Sequence, residues 1–534
     1  MSDRIARARG PSGQDSDLAE EGNPPFVSIL FPDGDGDVPV EPREAPDFFH
    51  DLSLGSVVKE ITAGHEAYDL TPFFYTRLTT LDAIGYRQDV MRDMETPLLR
   101  QAIAAFARRL QTMRLRLPNG QKQFYEVERQ RWFLAAVEIY VDAVEGLGHD
   151  LVALDLSSRG LRACRAYVTA YTTSEAFCTL ADEARGLSAA LAAIRYCVLI
   201  HDTTVTVLPY RGETDFSVTI EETFDKFQEG AVKDYRHKFP DSWGMNHVEA
   251  QIVDRVRLLF PESFATLDRF CRRHAGYLDP TIARFDREIQ FYAAYLDHIE
   301  RFRGAGLAFC YPRLSDQHKD VVAREAFDLA LAERCLEERM PIVCNDIVLQ
   351  GPERVCVVTG PNQGGKTTFA RTVGQLHYLA SLGCPVPGRE ARLFLYDRLF
   401  THFGREEEIA RQRGGLEDDL VRIHAILNQA TPNSLLIINE IFSSTTLEDA
   451  LYLGREVLTR IMRLDLLCVY VTFLDELSTL SEKTVSLVAA VDPEDPVRRT
   501  FRVERRKAHG LAYALAIAEK YRVTRRWLEE RIRT

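Results

Sequence analysis

The sequence lacks any apolar run approaching the roughly 20 residues that span a bilayer, so no membrane segment is expected. Its first residues, MSDRIARARGPSGQDSD, hold no apolar stretch of the kind a secretory leader needs. No C-x-x-C pair occurs among its ten cysteines, and Cys197, Cys356 and Cys468 lie inside apolar runs. Reduced, buried thiols in a cytoplasmic protein are therefore expected in place of disulfides or zinc. Positive charge is also short. The chain of 534 residues has a formal net charge of −13, which argues against a broadly basic nucleic-acid binder but allows a local basic surface. No internal repeat marks a solenoid or an array.

A chain of this length is too long for one core, so it divides into domains. Residues 1–45 are rich in Gly, Pro, Asp and Glu around one apolar island, residues 26–31. They read as a mostly disordered acidic tail with one possible short strand. Residues 46–305 carry apolar positions at helical spacing, for instance over 99–115, 132–147 and 161–195. One β-branched island, residues 196–210, interrupts them; with a turn over 211–215 and a second run at 216–224, it predicts an inserted hairpin or small sheet. Two further helical patterns, 247–274 and 280–303, are joined by a short link and predict antiparallel neighbours. Residues 306–534 change texture to strand runs at 354–359, 392–394, 434–439, 466–472, 485–491 and 500–503, mostly separated by helical patterns. That alternation predicts a doubly wound sheet, followed by an amphipathic segment, 511–533, with a basic end.

Within that last region Val355 to Thr359 lead into Gly360-Pro361-Asn362-Gln363-Gly364-Gly365-Lys366-Thr367-Thr368. The spacing G-x-x-x-x-G-K-T, between a strand and a helix, is that of a phosphate-binding P-loop. Glycines let backbone N–H groups curl around phosphates, and the helix that follows points its positive end at them. Lys366 would reach the β- and γ-phosphates of ATP, and the Thr367 hydroxyl would hold Mg²⁺. The run Ser434 to Glu440 has the form of the acid-bearing strand that organises the metal, except that Asn439 stands where Asp is usual. Asn439 offers oxygen without charge, which predicts weaker metal binding or slow turnover. Glu440 is placed to orient or deprotonate the attacking water. Gly414 and Gly415 open a helix with Leu416, Leu420, Ile423 and Leu427 on one face and acids in its first turn. Such a helix is either an ordinary capped one or the kind by which paired ATPases touch a partner's γ-phosphate.

Several stretches together resemble the MutS family. Gly360 to Thr368 (GPNQGGKTT) is similar to its P-loop, Asp397 to Gly404 (DRLFTHFG) to its DRIFTRVG stretch, and Asn439 to Thr446 (NEIFSSTT) to its DEIGRGTST stretch. Val471 to Leu477 (VTFLDEL) resembles the ATHYFEL switch, and His509-Gly510-Leu511 the closing SYGL segment. The resemblance is strong over 340–534 and weaker over 47–305, where helices around a small sheet fit the family's core, lever and clamp. It implies a multidomain protein, a mainly α-helical region with a small inserted sheet followed by an α/β P-loop (ABC-type) ATPase domain. It also marks departures: Asn439 for the acid, Phe473 for the switch histidine after Thr472, Ser443-Ser444 for arginine-glycine, and Gly414 for the signature serine, with Asp419 near the place of the signature glutamate. The family's mismatch-reading and connector domains find no counterpart, nor does a C-terminal nuclease module. Phe124-Tyr125-Glu126 spells a mismatch wedge but falls in the helical region, where a wedge is not presented.

The resemblance implies a homodimeric ATPase that clamps DNA, with ATP and Mg²⁺ as cofactors. Lys233, Arg236 and Lys238, with Arg255, Arg257, Arg272 and Arg273 beyond them, are candidates for phosphate contact without base reading; a solvated helix end is the competing explanation. Net acidity and the altered catalytic set favour a second reading, an ATP-driven assembly switch in which DNA is incidental. A transporter ATPase is disfavoured by the lack of an LSGGQ-like signature.

Overall fold

The computed structural model describes residues 26–32, 41–121, 125–214, 216, 245–404, 415–492, 499–507, 524 and 527. Among the described residues no helix is long and apolar enough to cross a membrane.

The first part is helical. Pro97–Gln121 and Glu126–Ala153 pack along their lengths, and Arg159–Thr172 and Glu175–Ala192 follow, capped by the Ser158 and Ser174 hydroxyls. The hairpin lies wholly inside the 196–210 run: Tyr196–His201 pairs with Thr204–Pro209 in unbroken antiparallel register. The expected turn at 211–215 is therefore not the hairpin turn. The chain reverses at Asp202, whose φ of 52° is one that a short polar side chain tolerates. Of the other expected strand, 216–224, all but Phe216 falls outside the described residues. The 247–274 pattern is two helices, His247–Leu259 and Pro261–Arg273, because Pro261 has no N–H to continue the first and starts the second at its opening position. Pro280–Gly304 follows with Asp279 as its cap and packs on Leu54–Thr62, Leu81–Met94 and Pro97–Gln121.

The apolar island at 26–31 forms no strand. Its backbone is satisfied by buried side chains instead: Glu288 accepts from Ser28 Oγ and from the Ile29 N–H, and the Tyr292 hydroxyl donates to the Ile29 carbonyl. Arg87, fully buried, donates to the carbonyls of Leu30 and Leu382 and stacks against Phe31 and Phe291.

The last part is built on a six-stranded mixed sheet. Its strands in chain order are β1 (Val355–Thr359), β2 (Leu399–Phe403), β3 (Leu435–Asn439), β4 (Leu467–Val471), β5 (Thr484–Val491) and β6 (Arg499–Arg505), and they lie in the order β2-β3-β4-β1-β5-β6. All neighbours are parallel except β5 and β6. Strand alternation divides the two faces. Ile437 faces Lys366–Ser381, while Leu436 and Ile438 pack with Ile423, Leu427 and Leu458 from the helices Gly415–Gln429 and Leu447–Leu464. The run expected at 392–394 belongs elsewhere. Glu390–Phe394 joins a separate four-stranded sheet with Arg313–Ser315, Val321–Ala326 and Asn345–Leu349, and Leu399–Phe403 takes the place beside β3.

The two parts share one core. Leu52, between the helices Phe48–Asp51 and Leu54–Thr62, presses on Gly374, where an added Cβ would stand 2.6 Å from a Leu52 methyl and 2.7 Å from Ile437 Cδ1. Next to it, Gln375 is fully buried and fully used: it donates to the Leu52 carbonyl and to Asp328, and accepts from the Leu329 N–H. Arg371 pairs with the same Asp328 and donates to Ser53 Oγ.

Candidate active site

The glycine loop forms where β1 ends. Gly360 turns the chain at φ 123°, and a Cβ there would stand 3.0 Å from both Cβ and O of Ala489 on β5. Gly364 is as confined: an added Cβ would stand 2.9 Å from the Pro361 carbonyl oxygen, which accepts the Gly364 N–H at 3.2 Å. Gly365, at φ 92°, opens the helix Lys366–Ser381. Pro361 is buried in the loop, whereas Asn362 and Gln363 are exposed on its outer turn. Thr368 lies in the first helical turn and accepts from Thr372 Oγ1 through its carbonyl.

Five of the residues singled out by sequence converge on that loop. Lys366 Nζ donates to the carbonyls of Gly360 at 3.1 Å and Pro361 at 3.2 Å, and lies 3.6 Å from Glu440 Oε1. Burial holds the Lys366 ammonium below its ordinary pKa, an effect that Glu440 opposes. Thr367 Oγ1 donates to Asn439 Oδ1 at 2.9 Å. Glu440, at φ 54°, is fixed by its N–H to the Val471 carbonyl. Phe473 lays its ring over Lys366, 4.1 Å from Nζ to the ring centre. Thr472 does not face the loop through its hydroxyl. It ties β4 to β1 through its N–H to the Val358 carbonyl, and its Oγ1 accepts from Leu474 N.

Asp419 is held apart, on the other side of β3. Its Oδ2 accepts the Phe442 N–H at 3.0 Å, and its Oδ1 lies 3.4 Å from His402 Nε2. His402 is fully buried on β2, and burial lowers its pKa, as does Arg422, against the pull of Asp419. Gly415 lies close to Ser444, whose Oγ would be 3.1 Å from an added Cβ. Gly414, Lys233, Arg236 and Lys238 lie outside the described residues, as do Phe124 and the segment 511–523. Arg272 and Arg273 are described, and both are ion-paired, with Asp268 and Glu183.

Residues that belong to no motif also border the loop, among them Ala489 and Arg499, whose Nε donates to the Asn362 carbonyl. Phe501 on β6, half exposed at φ 58°, has its backbone and Cβ within 3.8 Å of where a Gly365 side chain would begin. Asn345 fixes it, donating from Nδ2 to the Phe501 carbonyl and accepting the Val503 N–H on Oδ1. Nothing local in the sequence announces either, since the partners are 156 residues apart.

The MutS domain V family model matches residues 356–529. The DNA mismatch repair protein MutS of Chloroflexus aurantiacus is 37% identical over 128 residues, 24% of this chain and 13% of that protein. That of Azorhizobium caulinodans is 36% identical over 156 residues, 28% of this chain and 17% of the relative. That of Granulibacter bethesdensis is 28% identical over 258 residues, 47% of this chain and 27% of the relative. The similarity thus spans well under half of each relative's length.

Proposed function

The chain belongs to the MutS family, and from that premise we propose that it is an ATP-dependent DNA-binding protein. In this reading it acts as a dimeric clamp in DNA repair or recombination, paired through its P-loop ATPase domains, and recognises DNA shape in place of mismatches. The observation that carries the nucleotide half is the convergence of Lys366, Thr367, Asn439 and Glu440 on one glycine loop at a helix start. A loop with crowded glycines and a helix N-terminus suits a phosphate chain. Lys366 supplies the cation, and Glu440 is the group able to take a proton from water.

Magnesium fits the donor set in kind, because Thr367 and Asn439 bring two oxygens within 2.9 Å of one another. Both are neutral, so in this reading the ion's charge is met by the nucleotide phosphates, with one or more waters retained. Phe501 offers a half-exposed aromatic face beside the helix start, suited to stacking on a base. Steady-state ATP hydrolysis by wild type and Lys366→Ala, with and without DNA, tests the reading. It fails if the wild type binds and hydrolyses nothing, or if Lys366→Ala hydrolyses as fast as the wild type.

One observation favours the second reading, an assembly switch with incidental DNA contact. The hairpin strands carry no Lys or Arg, and Ile200, Leu199, Val205 and Leu208 stand exposed on them; Arg272 and Arg273 are already neutralised by carboxylates. Binding of duplex and branched DNA as salt is raised separates the two. A steep loss of affinity with salt supports phosphate contact, and equal absence of binding at low salt supports the switch.

A further inference from the structure

Lys366 is 4% exposed, whereas Phe473, which lies over it, is 49% exposed. The ammonium is thus enclosed by three kinds of partner: the loop carbonyls of Gly360 and Pro361, the Glu440 carboxylate, and the face of the Phe473 ring. Glu440 and Phe473 come from the ends of β3 and β4, which are neighbours paired through Asn439 and Val471. They therefore meet Lys366 from the ends of the strands beside β1, at the same edge of the sheet from which the loop rises.

The ring face is electron-rich and Phe473 has no hydrogen-bonding atom, so it attracts a cation and offers nothing to an anion. An anion that reaches Lys366 from the strand-end side must displace the ring or share the ammonium with it. A phosphate cradled by the loop is less dependent on Lys366, because the backbone N–H groups and the helix start act on it directly. An additional terminal phosphate depends more on Lys366, and it also brings negative charge toward Glu440. Both neighbours therefore act against the same group.

Resting on the nucleotide reading above, we propose that Phe473 is a positioning residue that competes with the terminal phosphate for Lys366, so that the site prefers a nucleoside diphosphate to the triphosphate. The ring can move without loss of sheet order. The backbone around it is fixed separately, by Thr472 N–H to the Val358 carbonyl and by Leu474 N–H to Thr472 Oγ1.

The test is equilibrium binding of ADP and of a non-hydrolysable ATP analogue, with magnesium, to the full chain in wild type, Phe473→Leu, Phe473→Tyr and Lys366→Ala forms. Leucine keeps apolar bulk at a half-exposed position but removes the ring face; tyrosine keeps the face. The expected result for Phe473→Leu is a gain in analogue affinity of about 2- to 30-fold, with ADP affinity changed by less than about 2-fold. Phe473→Tyr is expected to keep the wild-type ratio. The inference is overturned if leucine shifts both nucleotides equally or neither, or if tyrosine behaves as leucine does. A wild type that binds neither nucleotide would overturn the nucleotide reading itself, and this inference with it. A wild type that binds both, loses them in Lys366→Ala and keeps its ratio in Phe473→Leu would overturn this inference alone.

Discussion

The Thr367 hydroxyl donates to the Asn439 amide oxygen at 2.9 Å, bonding the first turn of the loop helix to the end of β3. An aspartate at 439 could accept the same hydrogen bond and would add a negative charge where the proposed magnesium binds. Asn439→Asp is therefore expected to lower the magnesium concentration needed for half-maximal ATP hydrolysis, and to raise turnover at limiting magnesium by about 10-fold. Magnesium titrations of steady-state hydrolysis check this. Identical curves for the two proteins would mean that a neutral oxygen already suffices.

Glu440 sits at φ 54° with its N–H on the Val471 carbonyl, so its backbone placement does not depend on its charge. Glu440→Gln keeps size and hydrogen-bonding capacity but removes the base. Turnover is expected to fall by about 100-fold or more, with nucleotide affinity changed only a few-fold. Single-turnover hydrolysis alongside equilibrium binding separates the two quantities. Parallel losses in both would assign Glu440 to holding Lys366 and not to handling water.

What was legible in the sequence follows from how local the information is. The stretch from Val355 to Thr368 carries its strand, its loop and its helix start contiguously, and the glycines that the loop requires are visible as glycines. Asn439 and Glu440 were readable because a strand ending in polar residues keeps its pattern wherever it pairs. The choice of sheet was not readable: Glu390–Phe394 and Leu399–Phe403 have similar strand character, and only tertiary packing sends the first to the smaller sheet. Nor were His402, Phe501 and Asn345, whose roles arise from contacts with residues distant in the chain. The hairpin reversed earlier than expected because one residue, Asp202, could take a left-handed conformation that its type permits but does not announce.

At the opposite end of the sheet, three cations share one carboxylate. Asp465 accepts from Lys319 at 3.2 Å, from Arg354 Nε at 3.1 Å and from Lys483 at 2.6 Å. Hydrogen bonds from Lys483, Arg354 and Lys319 outweigh the opposing effect of burial and hold its pKa down at about 2, against an ordinary 3.8. The native state therefore binds this proton less readily than the unfolded chain does. The stabilisation is fully present above the unfolded value, and it is lost as pH falls from about 4 to about 2. Asp465→Asn is expected to cost about 1–3 kcal/mol at neutral pH, with solvent screening reducing the figure because the carboxylate is partly exposed. Urea denaturation at several pH values checks both points: the variant's deficit is expected to shrink in acid, and a deficit independent of pH would assign the loss to packing.

The contact between Leu52 and Gly374 joins the helical part to the loop helix, and it permits a prediction of opposite local and tertiary effects. Alanine at 374 would favour the helix by about 1 kcal/mol over glycine. It would also place a methyl group 2.6 Å from a Leu52 methyl and 2.7 Å from Ile437 Cδ1, inside a core where neither neighbour faces solvent. Overpacking of this kind costs about 1–3 kcal/mol, so Gly374→Ala is expected to destabilise despite its better helix propensity. Leu52→Ala alone should cost about 2–5 kcal/mol by leaving a cavity. In the double variant the alanine methyl occupies part of that space and its clash with residue 52 is gone, leaving only that with Ile437, so the combined loss should fall short of the sum of the two single losses by about 1 kcal/mol or more. Thermal or denaturant unfolding of the four proteins measures that coupling. Strict additivity would mean that the loop helix moves away from residue 52 when crowded, and that the two parts of the chain are less firmly joined there than the buried Gln375 and Asp328 contacts imply.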